Sequence, residues 1–200
     1  VGRWVTVEGL MLEIERDMPF FRRSGGGVTL GGGEPTSQPD FALDLLKACQ
    51  ERGINTAMET SGYAPWRVIS ELSRYLDYIL FDIKHIDPVQ HKRLTGVSNL
   101  RILNNLGKLC RVHARVVPRY PLIPGCDDSE ADILAMARYI KAQGQVEKVE
   151  VIPYHRYGEL KYEMLGRKYR LAGLAIPDSE MVARACELIR SQGLACEAVH

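Results

Sequence analysis

Five short segments with strand character begin near residues 27, 55, 78, 112 and 147, and all but the last are followed by helical apolar spacing. The starts lie 28, 23, 34 and 35 residues apart, the size of one strand–helix unit. Such a series builds a parallel sheet, because each return of the chain to the same edge needs a crossover. The pattern predicts an α/β fold. A complete eightfold barrel takes about 250 residues, so this chain forms either an open sheet or part of a smaller barrel, expected as a single domain over residues 1–200.

The units read as follows. A first amphipathic helix follows Thr6, with Val7, Leu10, Met11, Ile14, Met18 and Phe21 on one face. The strand at Gly27–Leu30 runs into the glycines 31–33 and a helix from Pro39 to Gly53. Strands at Asn55–Glu59 and Tyr78–Asp82 precede helices over 65–75, 88–94 and 99–109. A fourth strand at Val112–Val117 leads to a helix capped by Ser129, and a fifth at Glu147–Ile152 to a stretch with little regular pattern up to Pro177.

Parallel sheets collect ligands at the carboxyl ends of their strands. Those ends carry Gly32-Gly33-Glu34, Glu59-Thr60-Ser61-Gly62, Asp82-Ile83-Lys84, Arg119 and Tyr154-His155. The glycine cluster lacks the Lys-Ser/Thr of a phosphate loop and the third glycine of a dinucleotide fingerprint. Its backbone can approach a ligand closely, with carbonyls and Glu34 suited to an ammonium group, and a plain tight turn explains the glycines equally well. Asp82 and Lys84 stand two apart on a strand and share a face. They form an ion pair, or Lys84 binds a carboxylate, or it forms the Schiff base of an aldolase-like barrel. Arg119 is either a fork for a carboxylate or a surface cation, and His155 either a ligand contact or a loop residue.

From Tyr154 to Arg170 the chain interleaves Tyr157, Lys161, Tyr162, Lys168 and Tyr169, as single-strand nucleic-acid platforms do. A peptide lining or a packed loop accounts for the same pattern, and a non-catalytic peptide-binding module is one reading of the whole chain. Charge argues against nucleic acid. The 26 Lys and Arg are balanced by 25 Asp and Glu, for a net charge of +1, which leaves no clustered basic field. No apolar run approaches the roughly 20 residues needed to span a bilayer, and no basic and apolar leader opens the chain, so a cytoplasmic location is expected. The five cysteines, 49, 110, 126, 186 and 196, are nowhere closer than ten residues, so no local pair makes a metal motif, and they read as small buried apolar groups.

Taken in order, the motifs resemble those of glycyl-radical enzyme activating enzymes, a branch of the radical S-adenosylmethionine superfamily that includes the pyruvate formate-lyase activating enzymes. The resemblance runs along nearly the whole chain: Ser24 to Leu30, Gly32-Gly33-Glu34-Pro35 and Gln38, Glu59 to Gly62, Asp82-Ile83-Lys84, His91 with Thr95-Gly96-Val97 and Asn99, Pro121 to Gly125, Pro153-Tyr154-His155, Gly158 and Lys161-Tyr162. It implies a partial (β/α)6 barrel that binds S-adenosylmethionine. Gly32, Gly33 and Glu34 would hold the methionine amino group. Lys84 and Arg119 would meet its carboxylate with Asp82 positioning them, Glu59 and Thr60 would lie near the methionyl or ribose part, and His155 would contact the adenosine.

The same resemblance implies a 4Fe–4S cluster held by CxxxCxxC thiolates, an electron donor such as flavodoxin or ferredoxin, and a glycyl radical enzyme whose glycine loses a hydrogen to the 5′-deoxyadenosyl radical. No CxxxCxxC occurs in the chain, which begins at Val1. The expectation is therefore an N-terminally truncated, inactive core that lacks the first strand and the cluster loop and supplies no cluster ligand. Five strands plus one upstream would make six, and the uncovered strand edge would promote self-association. Gly31 departs from the serine common in the family.

Overall fold

The computed structural model describes residues 2–113, 115–144, 146–169 and 171–199, with the backbone alone at position 161. Val1, the Lys161 side chain of the Lys161-Tyr162 match, and Arg170 lie outside the described residues. Six strands form one sheet in the order of the chain: β1 (Gly27–Leu30), β2 (Asn55–Thr60), β3 (Tyr78–Asp82), β4 (Val116–Leu122), β5 (Val149–Pro153) and β6 (Cys196–Ala198). Every neighbouring pair is parallel. Crossovers between parallel strands are right-handed in about 98% of cases, so a sequential order of this kind puts the helices on one face and leaves the other bare, as in a barrel wall.

Burial along the strands follows that division. Met58 and Thr60, Ile79 and Phe81, Tyr120 and Leu122, and Val149 and Val151 are buried. They pack beneath α3 (Pro39–Glu51), α4 (Trp66–Leu72), α6 (Leu100–Val112), α7 (Glu130–Gln143) and α9 (Ser179–Ser191), through Leu46, Ile69, Leu106, Met136 and Ile189 among others. Each fully buried side chain of this size contributes about 1.5–3 kcal/mol. The alternate positions include Glu59, Asp82, Arg119 and Glu150, and the pairings Asp82↔Arg119, Arg119↔Glu150 and Glu150↔Glu197 set four ionisable residues in one row across the bare face.

The helices start where their caps dictate. Asp87 accepts from the N–H groups of Val89 and Gln90 to open α5 (Pro88–Thr95), and Asp178 accepts from Met181 to open α9. Thr6 caps α1 (Val7–Ile14) through the N–H of Gly9. The expected single first helix is in fact α1, a 3-10 turn and α2 (Met18–Ser24). Its apolar face holds together all the same, packing with Leu45, Cys49 and Ile54 as a second core beside β1.

Three expectations need correction. The chain holds six strands where five are expected, the sixth at residues 196–198. The fourth begins at Val116, because α6 continues to Val112 and closes at His113, whose Nε2 bonds the carbonyl of Leu76. It then runs on through Pro118 and Pro121: two lost ladder donors weigh less than the burial of Val116, Val117, Tyr120 and Leu122. The stretch before Pro177 contains a short helix, α8 (Gly158–Met164).

Candidate active site

At the carboxyl end of β1 the chain turns through Gly31–Gly33, with Gly32 at φ +86°, a conformation that favours glycine. A Cβ on Gly32 or Gly33 would meet nothing within 4 Å. The loop is held from one side by Glu34. Its carboxylate accepts from Thr36 N–H (3.3 Å) and Oγ1 (2.8 Å), Thr60 Oγ1 (2.8 Å), and Ser61 N–H (2.9 Å) and Oγ (2.7 Å). Burial pushes the Glu34 carboxyl up, and the Ser61, Thr36 and Thr60 hydrogen bonds outweigh it, leaving the pKa below the ordinary carboxylate value. Glu34 is thus a strut between the ends of β1 and β2.

The strut extends further. Thr60 Oγ1 accepts from the N–H of Gly62, and the buried Asn105 amide donates to the carbonyls of Gly62 and Ala64, both at 2.9 Å. At Gly31, a Cβ would come within 2.9 Å of Glu59 Oε2. The room that a serine would fill here is taken by the Glu59 carboxylate.

Lys84 Nζ lies 2.7 Å from Asp82 Oδ2, an ion pair with both side chains partly exposed. The turn beyond it is fixed by motif residues that serve as scaffold. Asn99 donates to the carbonyls of His85 and Ile86, and His91 Nδ1 lies 2.9 Å from the Val97 carbonyl and 3.1 Å from Thr95 Oγ1. On β4, Arg119 sits between two carboxylates, with Nη1 2.7 Å from Glu59 Oε1 and Nε 2.9 Å from Glu150 Oε2. Burial draws the Arg119 pKa down, and the Glu150 and Glu59 partners more than reverse it. Lys148 pairs with Glu150 Oε1 at 3.0 Å and with Glu197.

The sequence-derived residues therefore meet as three direct pairs, Glu34 with Thr60, Asp82 with Lys84, and Glu59 with Arg119. His155 stands apart from them at the end of β5. It is exposed, its ring lies 4.5 Å from that of Tyr157, and its Nδ1 accepts from the Tyr157 N–H. Sequence reasoning missed Lys148, Glu150 and Glu197, and gave Ser61 no role beyond its place in the Glu59–Gly62 motif. Lys148 and Glu150 stand two apart, the spacing that marked Asp82 and Lys84, so the signal was there.

Two cavities open at this edge. One of about 640 Å³ is lined by His155, Tyr157, Ile176, Val182 and Cys186; the other, about 880 Å³, by Lys84, Arg93, Cys126, Tyr162 and Lys168. Both fall within the roughly 300–1,000 Å³ of small-molecule sites.

The radical SAM superfamily model matches residues 2–139. The chain is 43% identical over 185 residues to the choline trimethylamine-lyase activating enzyme of Oleidesulfovibrio alaskensis, covering 90% of this chain and 60% of that protein. It is 39% identical over 198 residues to the pyruvate formate-lyase-activating enzyme of Staphylococcus aureus, covering 96% and 79%. Among solved structures, a domain of a pyruvate-formate lyase-activating enzyme from Bacteroides vulgatus superposes with a TM-score of 0.74 at 27% identity, covering 88% of this chain and 99% of that one. The fold and the site edge define a radical SAM partial barrel. Within that superfamily, the chain belongs to the glycyl-radical enzyme activating enzymes. It spans about 60% of the length of the first relatives it matches. Membership takes the place of the aldolase-like and binding-only readings.

The family's cofactors are S-adenosylmethionine and a 4Fe–4S cluster. The residues here fit the first. Its methionine end offers an ammonium and a carboxylate; Gly32 and Gly33 leave space where a Cβ would stand, and the bare face carries the Lys84 and Arg119 cations. The seven paired charges Glu59, Asp82, Lys84, Arg119, Lys148, Glu150 and Glu197 sum to minus one, opposite to the single net positive charge of the sulfonium amino acid. The cluster does not fit. Among the described residues no group of three or more Cys, His, Asp or Glu could hold a metal.

Proposed function

We propose that the protein to which this chain belongs activates a glycyl radical enzyme, using S-adenosylmethionine bound along the bare face of the sheet. In this reading the chain supplies the S-adenosylmethionine half of the site without the cluster ligands, and is inactive by itself. Gly32 and Gly33 take the methionine ammonium on their carbonyls, with Glu34 fixing the loop that carries them. Lys84 and Arg119 orient the carboxylate, Asp82 steadies Lys84, Glu59 and Thr60 border the methionyl and ribose part, and His155 closes on the adenosine beside the smaller cavity. Each charge-assisted contact is worth about 1.5–3 kcal/mol. Together they hold the sulfonium in one pose, which is what a selective bond cleavage requires of the protein. Bound S-adenosylmethionine, given one electron, supplies the radical that takes a hydrogen from a backbone glycine.

The observation that supports this reading is the row of paired charges on the bare face, Asp82 with Lys84 and Glu59 with Arg119, whose net charge complements the ligand. The macromolecular partner is a lyase presenting a glycine loop, and the electron comes from a small carrier such as flavodoxin or ferredoxin in the cytoplasm. Sequencing the reading frame ahead of Val1 tests the partial nature of the chain: CxxxCxxC there supports it, and a start codon at Val1 contradicts it. The chemistry is tested by reconstituting the full-length protein anaerobically with iron and sulfide and adding a reductant. Formation of 5′-deoxyadenosine from S-adenosylmethionine is expected, and its absence overturns the proposal.

A further inference from the structure

Glu150 is 7% exposed, yet it belongs to a charged chain that crosses the bare face from β2 to β6: Glu59, Arg119, Glu150, Lys148, Glu197. Ion pairs at such sites add little net stability compared with apolar side chains of similar volume, but this chain does fix a geometry. Here the geometry is that of Arg119. Its Nε edge is held by Glu150 and its Nη1 by Glu59, and Nη2 makes no hydrogen bond among the described residues. A guanidinium released from Glu150 would turn and fork onto Glu59 through Nη1 and Nη2, since bidentate pairing is the preferred arrangement, and that would turn Nη2 towards Glu59.

We propose that Glu150 is a positioning residue, holding Arg119 by its Nε edge so that Nη2 stays available to a ligand carboxylate, with Lys148 as the support behind it. The inference rests on the reading that Arg119 meets the carboxylate of S-adenosylmethionine. Arg119 and Glu150 are direct register partners on β4 and β5, so the contact is set by the sheet itself. Lys148 takes the second oxygen of Glu150 at 3.0 Å and is itself tied to Glu197, which keeps Glu150 from swinging away. The titration behaviour agrees. Burial pushes the Glu150 carboxyl up, and its bonds to Arg119 and Lys148 bring it below the ordinary value, so Glu150 is an anion at neutral pH.

The test compares two probes by calorimetry on the full-length, cluster-loaded protein. S-adenosylhomocysteine keeps the amino-acid end of the ligand, and 5′-methylthioadenosine lacks it. In Glu150→Gln, the affinity for S-adenosylhomocysteine should fall about tenfold, equivalent to ~1.4 kcal/mol, with 5′-methylthioadenosine binding unchanged. Lys148→Met should weaken S-adenosylhomocysteine in the same direction by about threefold, or ~0.65 kcal/mol, and provides the test should Glu150→Gln not fold. Equal weakening of both probes, or no weakening of S-adenosylhomocysteine, overturns the positioning role. Failure of both probes to bind the unaltered protein instead removes the S-adenosylmethionine reading, and this inference with it.

Discussion

Asp127 gives the most exposed test of the energetics, because its carboxyl is 1% exposed and half satisfied. Oδ1 accepts the N–H of Ile123 at 2.7 Å, and Oδ2 is buried with no hydrogen-bond partner among the described residues. Burial raises the pKa from 3.8 to about 7, helped by Asp128 and Asp132 and opposed by the Ile123 N–H and by Lys84. The folded protein therefore binds a proton that the unfolded chain has released between those values. Stability is full below about pH 4, falls as pH rises towards 7, and is flat above. A shift of about three units at 1.36 kcal/mol each is worth about 4 kcal/mol.

Asp127→Asn removes the titrating group and keeps the acceptor for Ile123, at a cost of about 1–3 kcal/mol for unpaired amide donors. At pH 8 the variant should be more stable than the parent by about 1–3 kcal/mol, which for a chain of this size raises Tm by roughly 2–12 °C. At pH 4 it should be equal or less stable. Thermal melts of both proteins at pH 4, 6 and 8 give the comparison. A Tm difference independent of pH would refute the reasoning, since only the buried carboxyl titrates differently between the two.

Three other outcomes are expected. Gly62 lies at φ +70°, and a Cβ there would run into the Phe81 ring; Gly62→Ala should cost about 2–5 kcal/mol in urea unfolding, and a loss under 0.5 kcal/mol contradicts the contact. Glu34→Gln turns an amide against the Ser61 N–H and hydroxyl and should cost about 1–3 kcal/mol at pH 7. Because the Glu34 pKa is lowered, its contribution holds above the unfolded value and is lost as pH falls below it, so parent and variant should converge in acid. In the described sheet β1 is an edge strand, and Trp4, Leu12 and Phe20 of the segment that precedes it in sequence are 100%, 66% and 70% exposed; light scattering after size exclusion should show self-association, and a clean monomer at high concentration contradicts it.

The parts of the fold legible in the sequence were those where alternation and turn chemistry agreed. Tyr78–Asp82 alternates buried and half-buried residues between two clear breaks, and Pro39 and Gly53 bracket α3. β4 was misplaced because Pro118 and Pro121 act locally as stop signals, and only the flanking strands β3 and β5 make an extended path through them favourable. α9 and β6 went unseen although Asp178 caps a segment whose Ala185, Cys186, Leu188 and Ile189 share a buried face. At the site, Gly32, Gly33, Glu34, Thr60, Asp82, Lys84 and His155 sit at or just past the ends of their strands, whereas Arg119, expected at a strand end, stands in the middle of β4 because that strand runs on to Leu122. Sequence could not show that Glu34 spends its carboxylate on Thr36, Thr60 and Ser61, because a carboxylate's partners depend on which strand ends lie side by side. The spacing of Lys148 and Glu150 marks them as a pair in the sequence, but that Glu150 faces Arg119 is set only by register.

The central claim is that this site edge orients S-adenosylmethionine for glycyl radical formation. Its most direct test is electron paramagnetic resonance of a glycyl radical enzyme mixed anaerobically with the full-length loaded protein, reductant and S-adenosylmethionine. The account predicts a glycyl radical doublet with matching 5′-deoxyadenosine, both largely lost in a folded Lys84→Ala variant. A loaded protein that yields neither, or a Lys84→Ala variant as active as the parent, contradicts it.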